Sequence, residues 1–484
     1  ALSSNGLSQL INGRKNISIG TGALAKNKYG SDNVAIGYNA LSEVENEGGL
    51  NTAIGFASLK NLKAGYVNTV IGTTGMANTV SGVANIAIGS GPLEDAIGAS
   101  ENIAIGLDAL HKGIYSYENI AIGNRALFNN GISLSQDPQQ SGEWNSTRNI
   151  AIGSSALMNN TTGFVNVAIG RSSLVSNTIG NGNIGLGYET IRDNVSGIDN
   201  IAIGTFALRD MKNTSYNIAI GNGALMSTQA TGTIAIGSNS LNENTTGQYN
   251  LGVGNQTLNK NTTGNSNTAI GTSALMRNTT GDQNVGVGLN AIWNNTEGSG
   301  NSALGAGALQ QNSTGTDNTA IGTEASFTAT DANENVAVGN YSLFKNLKWG
   351  NTAVGFQSMY NNTTGENNVS LGRKAMHGNT IGMNNTAVGF GSLINNTTGS
   401  GNTSLGKYTL YLPEDGSFNT AVGDGAGYQP FQGNSNTFIG QNANTTSGTV
   451  INNATALGAN AVVTTSNSIQ LGATTVDLVQ TSGT

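Results

Sequence analysis

The chain has 484 residues, of which only 10% are charged, and its formal net charge is -7 at pH 7. A chain so poor in Lys and Arg offers no basic stripe for a phosphate backbone and no polybasic patch for a lipid surface, so we expect no nucleic-acid partner. It has no cysteine, which excludes disulfides and thiolate metal sites. It also has no run of 18 apolar residues, so we expect no membrane insertion by this chain.

The dominant feature is the motif Asn-x-Ala-Ile-Gly-x-x-Ala-Leu, whose glycine usually returns after 17 residues. The chain holds 27 copies, counted from Gly20 to Gly472. A fixed period of this kind is typical of solenoids, in which each unit packs only against its neighbours. It predicts an N-terminal lead-in over residues 1–15, one repeat domain over residues 16–472 and a C-terminal exit segment over residues 473–484.

The unit Asn267–Gln283 represents the others, and its residues define positions 1 to 17. Positions 2 to 4 are rich in Ile, Val and Thr, which favours a short strand that ends at the glycine of position 5. Positions 8 and 9 form a second apolar segment, which predicts a second strand. A glycine at position 15, such as Gly281, follows polar residues and predicts a turn with positive φ. Each apolar segment is too short for a stable helix.

These features predict an all-β fold, a parallel β-roll or narrow β-helix with a 17-residue period and about 27 coils. Stacked at the usual inter-strand spacing of about 4.8 Å, the coils would form a rod roughly 130 Å long. Asn occupies position 1 in 24 of the 27 copies, which predicts a ladder of hydrogen bonds between stacked side chains.

The apolar positions predict which side chains fill the roll. Position 4 is always Ile, Val or Leu, as in Ile270, and position 9 is usually Leu, so we expect both in the core. Positions 3 and 8 are mostly Ala or Ser, which predicts a face that another backbone can approach closely. Two large aliphatics per coil, at roughly 1.5–3 kcal/mol each, fall short of the cost of ordering a coil at about 1.5 kcal/mol per residue. The imbalance favours association of several chains.

Two segments carry a resemblance to known families, Asn102–Ala109 and Asn217–Ala224, both of the form Asn-Ile-Ala-Ile-Gly-x-x-Ala. The string resembles the head repeat of trimeric autotransporter adhesins, and similar repeats form trimeric shafts in bacteriophage tail fibres. The resemblance covers residues 16–472 and implies a left-handed coil and a homotrimer, although the adhesin unit is shorter. The stretch Asn467–Thr484 is similar to the segment that often precedes a self-cleaving chaperone domain in phage fibres.

Catalytic chemistry is not indicated by any pattern in the chain. The two histidines, His111 and His377, stand in no metal-ligand spacing and near no nucleophile motif. The acidic residues are scattered through predicted turns, and no glycosidase pair can be singled out. We therefore expect no enzyme, no catalytic site, no metal and no cofactor.

Four residues are candidates for receptor contact. The interval from Gly123 to Gly153 is 30 residues instead of 17, which predicts an inserted loop over residues 129–148 that carries Trp144 and Arg148. Trp293, at position 10 together with Tyr360 and Tyr411, and Trp349, at position 15, are the others. The alternatives are a loop that merely covers the rod, and aromatic rings that pack over the second segment.

The function that the sequence favours is a structural and adhesive fibre, a homotrimeric bacteriophage tail-fibre shaft that takes part in host attachment in the virion. Its expected partners are its own copies, a glycan or protein receptor on the host-cell surface, and other fibre or baseplate proteins. A virion is preferred because no coiled-coil stalk or membrane anchor is seen. The alternative is a bacterial cell-surface trimeric adhesin head or extracellular filament. An ice- or glycan-binding solenoid and a β-helical polysaccharide-degrading enzyme are weaker alternatives.

Overall fold

The structure is a computed structural model that describes residues 4–45, 48–131, 146–411, 415–429, 433–448 and 450–473. The chain divides into two compact units, Ala1–Thr246 and Gly247–Thr484. Throughout the described ranges both units consist of short strands and turns without any helix. A search of those ranges accordingly finds no apolar helix of membrane-spanning length.

The first unit is a parallel β-solenoid. Its strands are β1 (Ile17–Ile19), β2 (Val34–Ile36), β3 (Thr52–Ile54), β4 (Ala64–Tyr66), β5 (Thr69–Thr73), β6 (Ser81–Val83), β7 (Ile86–Ser90), β8 (Gly98–Ser100), β9 (Ile103–Ile105), β10 (Ile120–Ile122), β11 (Ile150–Ile152), β12 (Val167–Ile169), β13 (Ile184–Leu186), β14 (Ile201–Ile203), β15 (Ile218–Ile220) and β16 (Ile234–Ile236). Strands β4, β6 and β8 form a small parallel sheet at positions 14 to 16 of three coils, and the others belong to the main sheet.

The second unit is built in the same way. Its strands are β17 (Leu251–Val253), β18 (Thr268–Ile270), β19 (Val285–Val287), β20 (Ser302–Leu304), β21 (Thr319–Ile321), β22 (Val336–Val338), β23 (Thr352–Val354), β24 (Val369–Leu371), β25 (Thr386–Val388), β26 (Thr403–Leu405), β27 (Thr420–Val422), β28 (Thr437–Ile439), β29 (Asn444–Thr445), β30 (Thr455–Leu457), β31 (Val462–Val463) and β32 (Ile469–Leu471). Strands β29 and β31 pair separately, and the others form the main sheet. Over the two units the chain makes roughly 25–27 coils, as the repeat predicts.

The register places each motif residue beside the same residue of the next coil. In β18 and β19, for example, Ala269 lies beside Gly286 and Ile270 beside Val287. The strand ends at Gly271, whose φ is +119°, and a Cβ built on it would lie 2.7 Å from the carbonyl oxygen of Gly288. Only glycine combines that backbone conformation with so close an approach of the next coil, which explains why position 5 never varies.

The second segment of the coil differs from its prediction. At Ser273 and Leu275 the backbone has φ of 57° and 50°, so the segment is a series of turns and not a strand. Its N–H groups nevertheless bond to the next coil, as the Leu275 amide does to the Ala291 carbonyl at 2.9 Å. Among the described residues the predicted second strand forms at positions 9 and 10 only in β29 and β31. Hydrogen bonds between coils therefore do not require strand conformation.

The interior of the roll is filled from positions 3, 8 and 9. Ala269, Ala274 and Leu275 are fully buried, which confirms the prediction for position 9. Positions 3 and 8 line opposite walls of the interior, since the Ser358 and Ser370 hydroxyls at these positions hydrogen bond at 2.6 Å. The prediction that small residues at these positions mark an outer face was therefore wrong.

The prediction for position 4 was also wrong. Ile270 is 40% exposed and Leu304 is 51% exposed. Because alternate side chains of a strand point to opposite faces, an inward Ala at position 3 turns positions 2 and 4 outward. The other position-4 residues on which the core assignment rested share this outward orientation, and none of them is buried: Ile36, Ile54, Val253 and Val388.

Each unit contains asparagine ladders at two positions, of which the second covers only some of the coils. At position 1 the Asn267 Nδ2 donates to Asn250 Oδ1 at 3.2 Å and to the Gly281 carbonyl at 2.8 Å, which confirms the predicted ladder. A second ladder, at position 12, was missed in the sequence. There Asn278 Nδ2 donates to Asn261 Oδ1 at 2.7 Å. Where the ladders continue, the buried amides are thus paired from coil to coil, as the cost of an unpaired polar group demands.

The glycine at position 15 serves a different purpose from the predicted one. Gly281 does not have a positive φ. A Cβ built on it would instead lie 2.6 Å from Asn278 Oδ1 and would overlap the carbonyl oxygen of Gly298. Position 15 is therefore glycine because the second asparagine ladder and the next coil leave no room for a side chain.

Candidate interaction surfaces

The first surface feature is the row of outward side chains at positions 2 and 4 of the main-sheet strands, which we name the strand face. Every one of its position-4 residues is Ile, Val or Leu, and no residue at either position is charged. Its most exposed aliphatic members in the first unit are Ile17, Ile19, Ile71, Ile86, Ile169, Ile203 and Ile236. In the second unit they are Ile270, Val285, Leu304, Ile321, Val354, Val369, Leu371, Leu405, Ile439, Leu457, Ile469 and Leu471.

A shallow depression of about 200 Å³ lies on the strand face between β19 and β21. Val285, Leu304 and Ile321 line it together with Ser302 and Thr319. Apolar side chains grouped on an exposed face often mark a protein–protein contact. The strand face is therefore a candidate interface.

A second feature is a column of stacked rings at position 10, on the second segment. In the second unit the ring centroids of Phe327 and Phe344 are 5.2 Å apart, those of Phe344 and Tyr360 are 5.0 Å apart, and those of Tyr360 and His377 are 5.4 Å apart. The planes lie within 11° of parallel. The sequence shows that aromatic residues recur at position 10. It does not show whether the faces of their rings are covered.

Trp293 belongs to the same position and is half-buried. The Arg277 guanidinium lies 4.2 Å from the centroid of its ring, and its Nε1 donates to the sulfur of Met276 at 3.2 Å. These contacts agree with packing over the second segment. Receptor contact at Trp293 stays a prediction.

The other candidate residues are not brought together with it. Arg148, in the first unit, makes an ion pair with Glu118, with 2.7 Å between Nε and Oε2. Trp349, in the second unit, is 49% exposed at position 15. Trp144 lies outside the described residues, as does most of the inserted loop. Contact by these residues also remains untested.

A cluster of charged side chains lies in the first unit. Arg192 contacts Asp193 at 2.7 Å, Asp210 at 3.1 Å and Glu189 at 3.3 Å. The hydrogen bond from Arg192 lowers the pKa of Asp193, against the opposing effect of burial, and the same contact raises the pKa of Arg192. The positive and negative groups of the cluster are paired with one another. Such pairing is typical of a stabilised surface and not of a reactive group. Within the described ranges no three His, Asp or Glu side chains are grouped as metal ligands.

His377 shows how the ring column affects a titratable group. Burial, followed by the nearby charges of Lys374 and Lys345, lowers the pKa of its imidazole. The neutral ring stacks on Tyr360, so the histidine serves as one more ring of the column.

No model of a known protein family matches the chain, and no curated protein matches it either. The strand face, the ring column and the ladders are therefore the observations that bear on function.

Proposed function

We propose that the chain is a segment of a structural and adhesive fibre that assembles as a homotrimer through its strand face, with no catalytic role. The single observation that carries this proposal is the uncharged strand face of each unit, with Ile, Val or Leu at every position 4, beside a roll interior that is already filled by Ala and Leu. Neighbouring coils cover the side chains of this face only in part, as the 40% exposure of Ile270 shows.

The energy of association favours this arrangement. An Ile that is 40% exposed, such as Ile270, would gain about 1 kcal/mol when the rest of it is covered. Each coil contributes one position-4 aliphatic and a position-2 side chain, so the gain is repeated with every coil. A weak contact per coil thus becomes a strong contact over many coils.

The spacing of the face identifies the partner. Its side chains repeat with the inter-strand distance, about 4.7–4.9 Å per coil. A partner that contacts every coil must present the same spacing over a similar length. Another copy of the chain meets that condition, and closed cyclic symmetry is the usual way in which identical chains associate. The number three and the left-handed coil follow from the resemblance to trimeric adhesin heads and fibre shafts.

Within this class we favour a bacteriophage tail-fibre shaft that takes part in host attachment. A bacterial cell-surface adhesin head is the alternative. In both cases the partners would be a glycan or protein receptor on a cell surface, and in a virion also other fibre or baseplate proteins.

Cross-linking tests the proposed interface, because the chain has no cysteine of its own. Ile270→Cys places one thiol per chain on the strand face, whereas Arg277→Cys places it on the second segment of the same coil. A short bismaleimide is expected to join chains of the Ile270 variant much more efficiently. Equal cross-linking of both variants at low protein concentration would exclude the strand face as the interface.

Antibody labelling distinguishes the two settings. Antibodies against the chain should decorate the fibres of a phage particle in electron micrographs. Labelling of a bacterial envelope, with none on virions, would support the adhesin alternative instead.

A further inference from the structure

Tyr428 lies near the C-terminal end of the second unit and belongs to a pair of position-10 rings, which Ile394 separates from the ring column that ends at His377. One face of the Tyr428 ring stacks on Tyr411, with centroids 4.9 Å apart and planes at 18°. In the next coil position 10 is Thr445, which has no ring to offer. Tyr428 is 40% exposed; its other aromatic neighbour among the described residues, Tyr408, meets it edge-on with centroids 6.4 Å apart, and no second described ring stacks on it.

A depression of about 390 Å³ lies beyond Tyr428, within the range of about 300–1,000 Å³ that is usual for small-molecule sites. We name it the Tyr428 pocket. Besides the tyrosine it is lined by Gln429, Asn442, Asn444, Thr445, Thr446, Ser447 and Val462. The short β29–β31 pair, which is confined to this part of the unit, contributes three of these residues.

One lining residue is buried and has an unused donor. Asn444 is only 7% exposed. Its Oδ1 accepts hydrogen bonds from the main-chain N–H groups of Gln429 at 3.3 Å and Thr445 at 3.0 Å. These two donors fix the orientation of the amide, and its Nδ2 donates to none of the described residues. Asn444 Nδ2 is not among the buried unpaired polar atoms of the described residues, so it reaches solvent at the pocket and is available to a ligand.

We propose that the Tyr428 pocket binds a neutral sugar ring. The carbon-bound hydrogens on one face of a pyranose are apolar and would cover the free face of Tyr428. The ring hydroxyls would accept from Asn444 Nδ2 and exchange hydrogen bonds with the side chains of Gln429 and Ser447. None of the eight lining residues is charged, which favours a neutral sugar over a uronic or sialic acid.

The pocket is independent of the strand face. It lies on the second segment, across the roll interior from positions 2 and 4, so association through the strand face leaves it accessible. The inference deepens the proposed function, on which it rests for its biological setting: a trimer would carry three such pockets and bind a surface glycan with avidity.

Saturation-transfer NMR and calorimetry with the intact chain test the pocket, using methyl glycosides of glucose, galactose, mannose and N-acetylglucosamine as probes. We expect at least one of them to bind. Tyr428→Ala should weaken that binding about tenfold or more, whereas Tyr428→Phe, which keeps the ring face, should preserve it.

Tyr360→Ala is the matched control, because Tyr360 occupies the same position but both of its faces are covered, by Phe344 and His377. It should bind sugar like the parent chain. Binding of none of the neutral probes, equal loss in both alanine variants, or binding of acidic sugars alone would overturn the proposal. Cross-linking through Ile270→Cys would be unaffected by any of these results, so failure of the pocket and failure of the trimer are separable.

Discussion

The strand and the second segment of one coil both form main-chain hydrogen bonds to the next coil. They differ in which of their side chains, the small or the large, point into the roll. On the strand side, Thr268–Ile270, the small Ala269 points inward and the larger neighbours point outward. On the second segment Leu275 points inward and is fully buried. Both sides bond coil to coil through the main chain, as Thr268 N–H does to Asn284 at 2.8 Å and Leu275 N–H does to Ala291 at 2.9 Å.

This difference follows from the narrow interior. A roll with one short strand per coil has room for one large side chain between its walls, and the second segment supplies it. Near the C-terminal end the large inward side chain comes from the strand instead of the second segment. There position 9 is Gly427, and Phe438, at position 3 of the next coil, is fully buried. The ordinary coil therefore leaves its largest strand residues outside, where only a partner can cover them.

The strongest test of the comparison uses two separate variants of the same coil. In one a buried aliphatic residue is replaced by aspartate, and in the other an outward aliphatic residue is replaced by aspartate. Leu275→Asp buries an unpaired charge and should destabilise the second unit by several kcal/mol, about 3 or more. Ile270→Asp should leave the fold of the single chain intact and weaken association. Thermal unfolding followed by circular dichroism measures both. Equal losses of melting temperature at a concentration where the chain is monomeric would mean that inside and outside are wrongly assigned.

A smaller effect is expected where the second ladder is interrupted. Asn312 Oδ1 is buried without a partner among the described residues, because the next coil has Ala329 at position 12. Ala332 there replaces the usual glycine of position 15. Ala329→Asn alone should clash with Ala332 and cost about 1–3 kcal/mol.

The matched partner of this change is Ala332→Gly, which makes room for the new amide. A double-mutant cycle measured by chemical denaturation should give a favourable coupling of about 1–3 kcal/mol between the two substitutions. Simple additivity would show that the asparagine at position 12 and the glycine at position 15 are not coupled, and that our reason for the glycine is incorrect.

The smallest effect concerns pH. Because the pKa of His377 is lowered in the folded chain from its ordinary value of 6.5, the unfolded chain takes up a proton first as the pH falls. The stabilisation by the neutral ring is complete above that value and is lost as the pH decreases below it. Melting temperatures at about pH 7.5 and about pH 5.5 should differ less for His377→Phe, which keeps the stack on Tyr360, than for the parent chain.

Recurrence was the part of the sequence that could be interpreted safely. It predicted the strand at positions 2 to 4, the buried Leu275 and the ladder of Asn267, because each depends only on what every coil shares. Alternation predicted that Ala269 and Ile270 face opposite ways but not which of them faces inward, and size suggested the wrong choice. The φ of Gly281 was misjudged because its neighbour in the next coil, which excludes a side chain, is distant in sequence.

The Tyr428 pocket could not have been predicted from recurrence, since it forms where the pattern changes. The tyrosine looks like any other ring at position 10, and the unused donor of Asn444 follows from two main-chain contacts that no spacing reveals. An interrupted column of rings, followed by polar residues, is the only signal that the sequence offered.

The assembly mass tests the central claim, that the strand face joins copies of this chain, most directly. Light scattering coupled to gel filtration of the intact chain is predicted to give three times the single-chain mass of 49.2 kDa, and several aspartates introduced on the strand face should return it to the single-chain value. A mass of 49.2 kDa for the unaltered chain at every concentration would contradict the account.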